Sequence, residues 1–182
     1  MEALIAVASK HGSTMELGRR IARRLRSRGI GTAVCAADHI RSLGGYQIVI
    51  LGSGVYANKM LRAMTALAYR WGDQLAGRDT YLFCSGPLAA PDPSPLPPDA
   101  RALARLSGIA DARMFGGCMV WDLLRPTERA TMRMWGARPG DYRDWDEVDR
   151  WADMIADRAG APPAAESSAG PADELRPLPR VP

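Results

Sequence analysis

Lysine, histidine, cysteine and phenylalanine are all scarce in this chain. Of its 24 basic residues only Lys10 and Lys59 are lysines, the histidines are His11 and His39, and the cysteines are Cys35, Cys84 and Cys118. The cysteines lie far apart and form no C-x-x-C pair, so reduced, mostly buried thiols in a cytoplasmic protein are expected. Two histidines and three scattered cysteines argue against a structural metal site, and no metal is expected. No apolar run approaches the about 18 residues that a membrane span needs. The N-terminus lacks the basic start and apolar stretch of a signal peptide. No Ser-His-Asp set and no paired carboxylates mark hydrolytic chemistry. The formal charge is +4 over 182 residues, and the segment after Gly160 holds three acids and two bases, leaving the body near +5. That is too little to imply a nucleic-acid partner, and none is expected.

What is present is concentrated at Leu4 to Thr14. A short apolar run, Leu4-Ile5-Ala6-Val7-Ala8, leads into the small polar loop Ser9-Lys10-His11-Gly12-Ser13-Thr14 and then into an amphipathic segment. A strand, a tight turn and a helix start aim free backbone N–H groups at one spot, which suits a phosphate. Ser9, Ser13 and Thr14 add hydroxyls, although a plain strand-to-helix turn would use the same residues as caps. The Gly-Lys-Ser/Thr of a nucleotide-hydrolase loop and the G-x-G-x-x-G of a dinucleotide fold are both absent.

The rest of the chain alternates. Helix one is expected from about Thr14 to Arg28, with Leu17, Ile21 and Leu25 inward and Gly18 and Ala22 allowing close packing on a sheet. Arg19, Arg20, Arg23, Arg24, Arg26 and Arg28 cover its other side, a face that is either solvated or turned to an acidic partner or an anionic membrane. Strands follow at Thr32–Cys35, Tyr46–Leu51, Thr80–Cys84 and about Ala112–Gly116. Loops follow the third and fourth strands, at Gly52–Lys59 and Ser85–Ala90. Helices are expected at about Lys59–Leu75, with Met60, Met64, Leu67 and Trp71 on one face, and from Asp99. The last helix starts at Asp144, with Glu147 placed as in a capping box and Val148, Trp151, Ala152 and Ile155 buried.

This alternation implies an α/β fold, a doubly wound five-stranded parallel sheet of order 2-1-3-4-5 with helices on both faces. The loops after strands one, three and four then share the carboxyl edge of the sheet, where such folds bind ligands. Residues 1–160 form the domain. Residues 121–142 read as a basic, amphipathic insertion, with Arg125, Arg129 and Arg133 on one side and Leu123, Leu124, Thr127, Ala130, Met134 and Trp135 opposite. Residues 161–182, rich in Ala and Pro, are expected to be a disordered tail.

The loop Ser9-x-x-Gly12-x-Thr14 resembles the flavodoxin loop that holds the FMN phosphate, departing at His11. The stretches YQIVILGSGVY, TYLFCSGPL, RMFGGCMVW and RPTERATMRMWGARPGDYRDWDEVDRWADMIA, with Tyr142, Asp144 and Trp145, are similar to the flavodoxin-domain family that includes menaquinone-dependent protoporphyrinogen oxidase. The resemblance covers roughly Glu2 to Ala159 and makes the chain flavodoxin-like. It implies FMN as cofactor, with the phosphate at Ser9, Lys10, His11, Gly12, Ser13 and Thr14. The ring would lie between Ser53, Gly54, Val55, Tyr56, Ala57, Asn58 and Ser85, Gly86, Pro87, Leu88, with Tyr56 stacked on it. It implies a quinone-dependent protoporphyrinogen IX dehydrogenase of heme biosynthesis. Its partners would be a small redox substrate, a porphyrinogen, and a quinone or protein electron acceptor. Where oxidase members are basic after the fourth strand, this chain has Pro87, Ala89, Ala90, Pro91 and Asp92.

Two other readings stand beside it. One is a flavodoxin-type one-electron carrier. Carriers surround the ring with acids, whereas the two ring loops here contain no acid and one lysine, Lys59, which favours the enzyme. The other is a cofactor-free interaction protein that keeps the fold. The insertion would pack on its own domain, cover a greasy substrate or, through Arg125, Arg129 and Arg133, make peripheral contact with an anionic membrane at the inner face of the cell.

Overall fold

The computed structural model describes residues 1–86, 95–134 and 138–163. Five strands form a parallel sheet: β1 (Glu2–Ala8), β2 (Gly31–Ala36), β3 (Ile48–Tyr56), β5 (Asp79–Gly86) and β6 (Asp111–Gly116), in the order β2-β1-β3-β5-β6. A two-residue strand, β4 (Lys59–Met60), folds back antiparallel on the end of β3. Without that hairpin the order is the expected 2-1-3-4-5. Helices α1 (Ser13–Ser27) and α5 (Trp145–Arg158) cover one face, and α2 (Arg62–Ala76) and α3 (Pro98–Leu106) the other. Between β6 and α5 lie β7 (Cys118–Met119), α4 (Pro126–Met134) and β8 (Gly140–Asp141), the latter two within the insertion.

The strand period of two builds both cores at once. Ala3, Ile5 and Val7 of β1 point to α1 and α5, while Leu4, Ala6 and Ala8 point to α2 and α3. Leu17, Ile21 and Leu25 of α1 are fully buried, each worth about 1.5–3 kcal/mol on removal from water. A Cβ at Gly18 would lie 2.8 Å from Val7, so glycine there sets how closely α1 approaches β1. Trp151 of α5 meets Tyr81, Phe83 and Phe115 edge-on at 5.5–6.2 Å. Asp144 caps α5 by accepting from Glu147 N at 2.9 Å.

The arginine face of α1 finds its acidic partner within the chain. Arg20 donates to both carboxylate oxygens of Asp149 at 2.8 and 2.6 Å, and Arg24 to both of Asp153 at 2.8 Å. Arg28, almost fully buried, donates to Asp153, Asp157 and the carbonyls of Ala161 and Pro162. Ala161 and Pro162, expected in the tail, are thus held against α1. Residues 164–182 lie outside the described residues. Among the described residues all three cysteines are free.

Three expectations change. Residues 52–56, expected in a loop, continue β3, and the turn is Ala57-Asn58 with φ of +48° and +58°. This left-handed pair is the connection that a two-residue hairpin requires. Gly52 stays in the strand because the Phe83 ring fills the space above it that a Cβ would take. Helix α2 begins at Arg62 rather than Lys59, and Met60 reaches the core from β4 instead. The insertion is not one helix: a 3-10 turn spans Trp121–Leu123, and α4 follows from Pro126.

Candidate functional site

The carboxyl ends of β1, β3, β5 and β6 open into a cavity of about 300 Å³. The loop after β1 forms one end. Gly12 has φ of +90°, and among the described residues no side chain caps α1. The first-turn N–H groups of that helix have no intrahelical acceptor, and they lie beside Ser13 and Thr14 on the cavity wall. Ser9 Oγ accepts from Gly12 N at 3.0 Å, and Ser13 Oγ accepts from Cys118 N at 2.8 Å. Each hydroxyl therefore keeps its own proton to donate. Thr14 and Ser85 share a hydrogen bond at 2.8 Å, which fastens the loop to the end of β5.

Of the expected site residues, Ser9, His11, Ser13, Thr14, Gly54, Val55, Tyr56, Ser85 and Gly86 line this cavity. Lys10 does not line it; its ammonium lies 5.4 Å from the Tyr56 ring centroid and pairs with Glu128. Gly12 shapes the loop without lining the cavity. Ser53 is fully buried, accepts from Leu61 N and donates to Gly54 O, so its hydroxyl is spent inside the fold. Ala57 and Asn58 form the exposed turn. Pro87 and Leu88 lie outside the described residues.

Met119 and Val120, with Leu123 and Leu124 of the insertion, close the other side. Arg129 donates to the Leu124 and Asp122 carbonyls, and Arg133 stacks over Trp121 at 5.1 Å. Two charged residues on the wall, Glu16 and Arg143, were not expected from the sequence. Arg143 is nearly buried, binds Asp141 at 2.6–2.7 Å, pairs with Glu16 and lies 4.5 Å over the Trp145 ring. Hydrogen bonds from Arg143 hold the Asp141 carboxyl below its ordinary range. Lys59, by contrast, is exposed on β4 and does not line the cavity. The expected ring electrostatics therefore rested on the wrong cation, and the site is not free of acids.

A third unexpected residue is Glu128, in the first turn of α4. It accepts from Lys10 Nζ and, at 2.9 Å, from Arg125 N. His11 Nε2 lies 3.5 Å from the oxygen that accepts from Arg125 N, too far for a good hydrogen bond, and has no hydrogen-bond partner among the described residues. The Lys10 hydrogen bond, then that from Arg125 N, pulls the Glu128 carboxyl down to about 2. Burial, and secondarily the Glu128 charge, pushes the Tyr56 hydroxyl up to about 12. Tyr56 is therefore neutral throughout the physiological range.

Solved structures repeat this architecture. A rubredoxin:oxygen oxidoreductase of Desulfovibrio gigas aligns with TM-score 0.60 and 14% identity over 87% of this chain, but over only 36% of its own length. A flavodoxin from the domain Archaea aligns with TM-score 0.56 and 16% identity, covering 88% of this chain and 99% of that one. Oxidised flavodoxin 1 of Bacillus cereus gives TM-score 0.59 and 15% identity, covering 86% and 98%. At such identities the likeness shows the fold. No curated protein matches the sequence. The family model described as flavodoxin domain matches residues 4–145, most of the folded body, and the chain belongs to the flavodoxin-domain family.

Proposed function

We propose that this protein binds FMN in the cavity and works as an electron-transfer protein of the flavodoxin kind. The observation that carries the reading is the uncapped start of α1, with Ser9, Ser13 and Thr14 around it, at one end of a cavity walled by Tyr56 and Gly86. The residues present fit the group. The helix start and hydroxyls suit a terminal phosphate, and a carboxylate already sits on the loop's Lys10. Ser9, His11, Ser13 and Thr14 would hold the phosphate end. Gly54, Val55, Tyr56, Ser85 and Gly86 would flank the ring. A Cβ at Gly54 would meet Thr14 Oγ1 and Tyr56 at 3.2 Å, so glycine there keeps the cavity open. FMN, when bound, supplies one- and two-electron transfer. The chain's part is to bind it, orient it and set the charge around it through Glu16 and Arg143.

A second reading, an FMN oxidoreductase resembling the quinone-dependent protoporphyrinogen dehydrogenases, is favoured by the insertion. With Val120 just before it, the insertion gives the cavity an apolar wall, Val120 and Leu123 being 47% and 56% exposed. Such a wall suits a greasy substrate or quinone. On this reading the exposed Arg125 and Arg133, beside Leu123 and Met134, would rest against an anionic membrane surface. Among the described residues no helix is long and apolar enough to cross a membrane.

Titration of the apoprotein with FMN tests both readings. A perturbed flavin spectrum with saturation below tens of micromolar is expected, and no binding there would sink both. Turnover of a porphyrinogen with a quinone would select the oxidoreductase. Electron exchange with a redox protein, without such turnover, would select the carrier.

A further inference from the structure

We propose that Glu128 is an internal counter-anion for the phosphate loop: the insertion holds it against Lys10 and His11 in the free protein, and a ligand phosphate displaces it. The inference rests on the phosphate site proposed above, and extends it from where a phosphate binds to what must leave first.

The contact is made by the fold, since Lys10 and Glu128 are 118 positions apart. Its carboxylate is only 16% exposed and faces both basic side chains of the loop, one oxygen toward Lys10 and the other toward His11. An anion thus already occupies the basic side of a loop whose hydroxyls and helix start are suited to an anion. A phosphate monoester held at the start of α1 brings a charge of about −1.5 to −2 to the same loop. Two anions there repel, and Lys10 cannot fully serve both.

Local structure lets Glu128 leave without unravelling its helix. Glu128 is the third residue of α4 and accepts from Arg125 N, which precedes the helix. This is the return half of a capping box. The bond lies within α4 and persists when Lys10 lets go. Leu123 and Leu124, just before α4, line the cavity. Displacing Glu128 therefore also shifts the apolar wall over the ring side, which couples arrival of the phosphate to the position of the insertion. A neutral glutamine in place of Glu128 would keep the capping hydrogen bond through its amide oxygen while removing the charge.

The test compares the full chain with Glu128→Gln, using inorganic phosphate, FMN and riboflavin as probes. Amide NMR follows Ser13 and Thr14 during the phosphate titration, and flavin fluorescence follows the other two. The variant should bind phosphate and FMN about tenfold more tightly, because one repelling charge is gone, and riboflavin unchanged. In the unsubstituted chain the amides of Thr127 to Arg129 should move as phosphate is added. Equal or weaker phosphate binding by the variant would overturn the counter-anion, as would an equal gain for riboflavin. If phosphate binding tightens but neither protein takes FMN, the counter-anion stands and the flavin reading falls. If both proteins bind FMN equally, the flavin reading stands and the counter-anion falls.

Discussion

The arginines of α1 and the basic pair Lys10 and His11 both meet carboxylates, but on different supports. Arg20, Arg24 and Arg28 recur every four residues and face Asp149, Asp153 and Asp157, which recur at the same interval on α5. Beneath them Trp151, Ala152 and Ile155 are buried against the sheet. That ladder cannot open without exposing an apolar seam. Lys10 and His11 meet one carboxylate on a nine-residue helix, none of whose described side chains is buried. If Glu128 leaves as proposed, the two sets of ion pairs should differ in reversibility because of the apolar surface they ride on as well as their geometry.

The largest effect should come from removing the seam. Trp151→Ala deletes a buried ring touching three aromatic neighbours and should destabilise the protein by about 3–5 kcal/mol, read as a shift in the denaturation midpoint. A loss under about 1 kcal/mol would mean that the ladder holds α5 by itself. Next is Asp153→Ala, which unpairs Arg24 and leaves Arg28 one carboxylate. For this partly exposed acid the expected loss is about 1–2 kcal/mol, with flavin affinity unchanged. A parallel fall in affinity would show that the ladder reaches the site.

Thr14→Ala should act at the other place. It removes a hydroxyl bonded to Ser85 and should weaken FMN binding about five- to tenfold, the equivalent of about 1 kcal/mol, checked by fluorescence titration. An unchanged affinity would mean that the hydroxyl only ties the loop to β5.

Acid reports on the loop pair. The Glu128 carboxyl is lowered in the folded protein, so its contribution is complete above its ordinary value of 4.5 and is lost as pH falls toward about 2. The groups facing it are Lys10, His11 and Tyr56. A carboxyl-carbon NMR titration of Glu128 should have its midpoint well below the ordinary value, and a midpoint at that value would mean that Lys10 does not hold it. The smallest effect is expected from Lys59→Glu, which should leave the flavin reduction potentials nearly unchanged because Lys59 is exposed outside the cavity. A clear drop would return Lys59 to the ring.

Periodic features were legible in the sequence. Burial dictates the alternation in β1 and the four-residue repeat in α1, and the capping residues of α5 announce its start. The ladder was half legible: the arginine face was seen, and the matching spacing of Asp149, Asp153 and Asp157 was the signal that could have identified its partner. The course of β3 through Gly52 and Gly54 was not legible, because glycines that make room for Phe83, Thr14 and Tyr56 look like loop glycines until those neighbours are known. Glu16, Glu128 and Arg143 carried no local signal. Arg143 meets Glu16 on the cavity wall, and Glu128 meets Lys10 beside it, because the chain after β6 returns across the carboxyl edge of the sheet.

The grip of Arg28 on the Ala161 and Pro162 carbonyls determines how a tethered cargo would be presented. It pins the chain beside the C-terminal end of α1, a helix about 22 Å long whose other end borders the cavity. Ala161 and Pro162 are thereby held at the end of α1 away from the cavity. A short leash there would leave the mouth of the cavity clear for a visiting electron donor, whereas a fused partner that must reach the flavin would need a tether long enough to travel the height of the sheet.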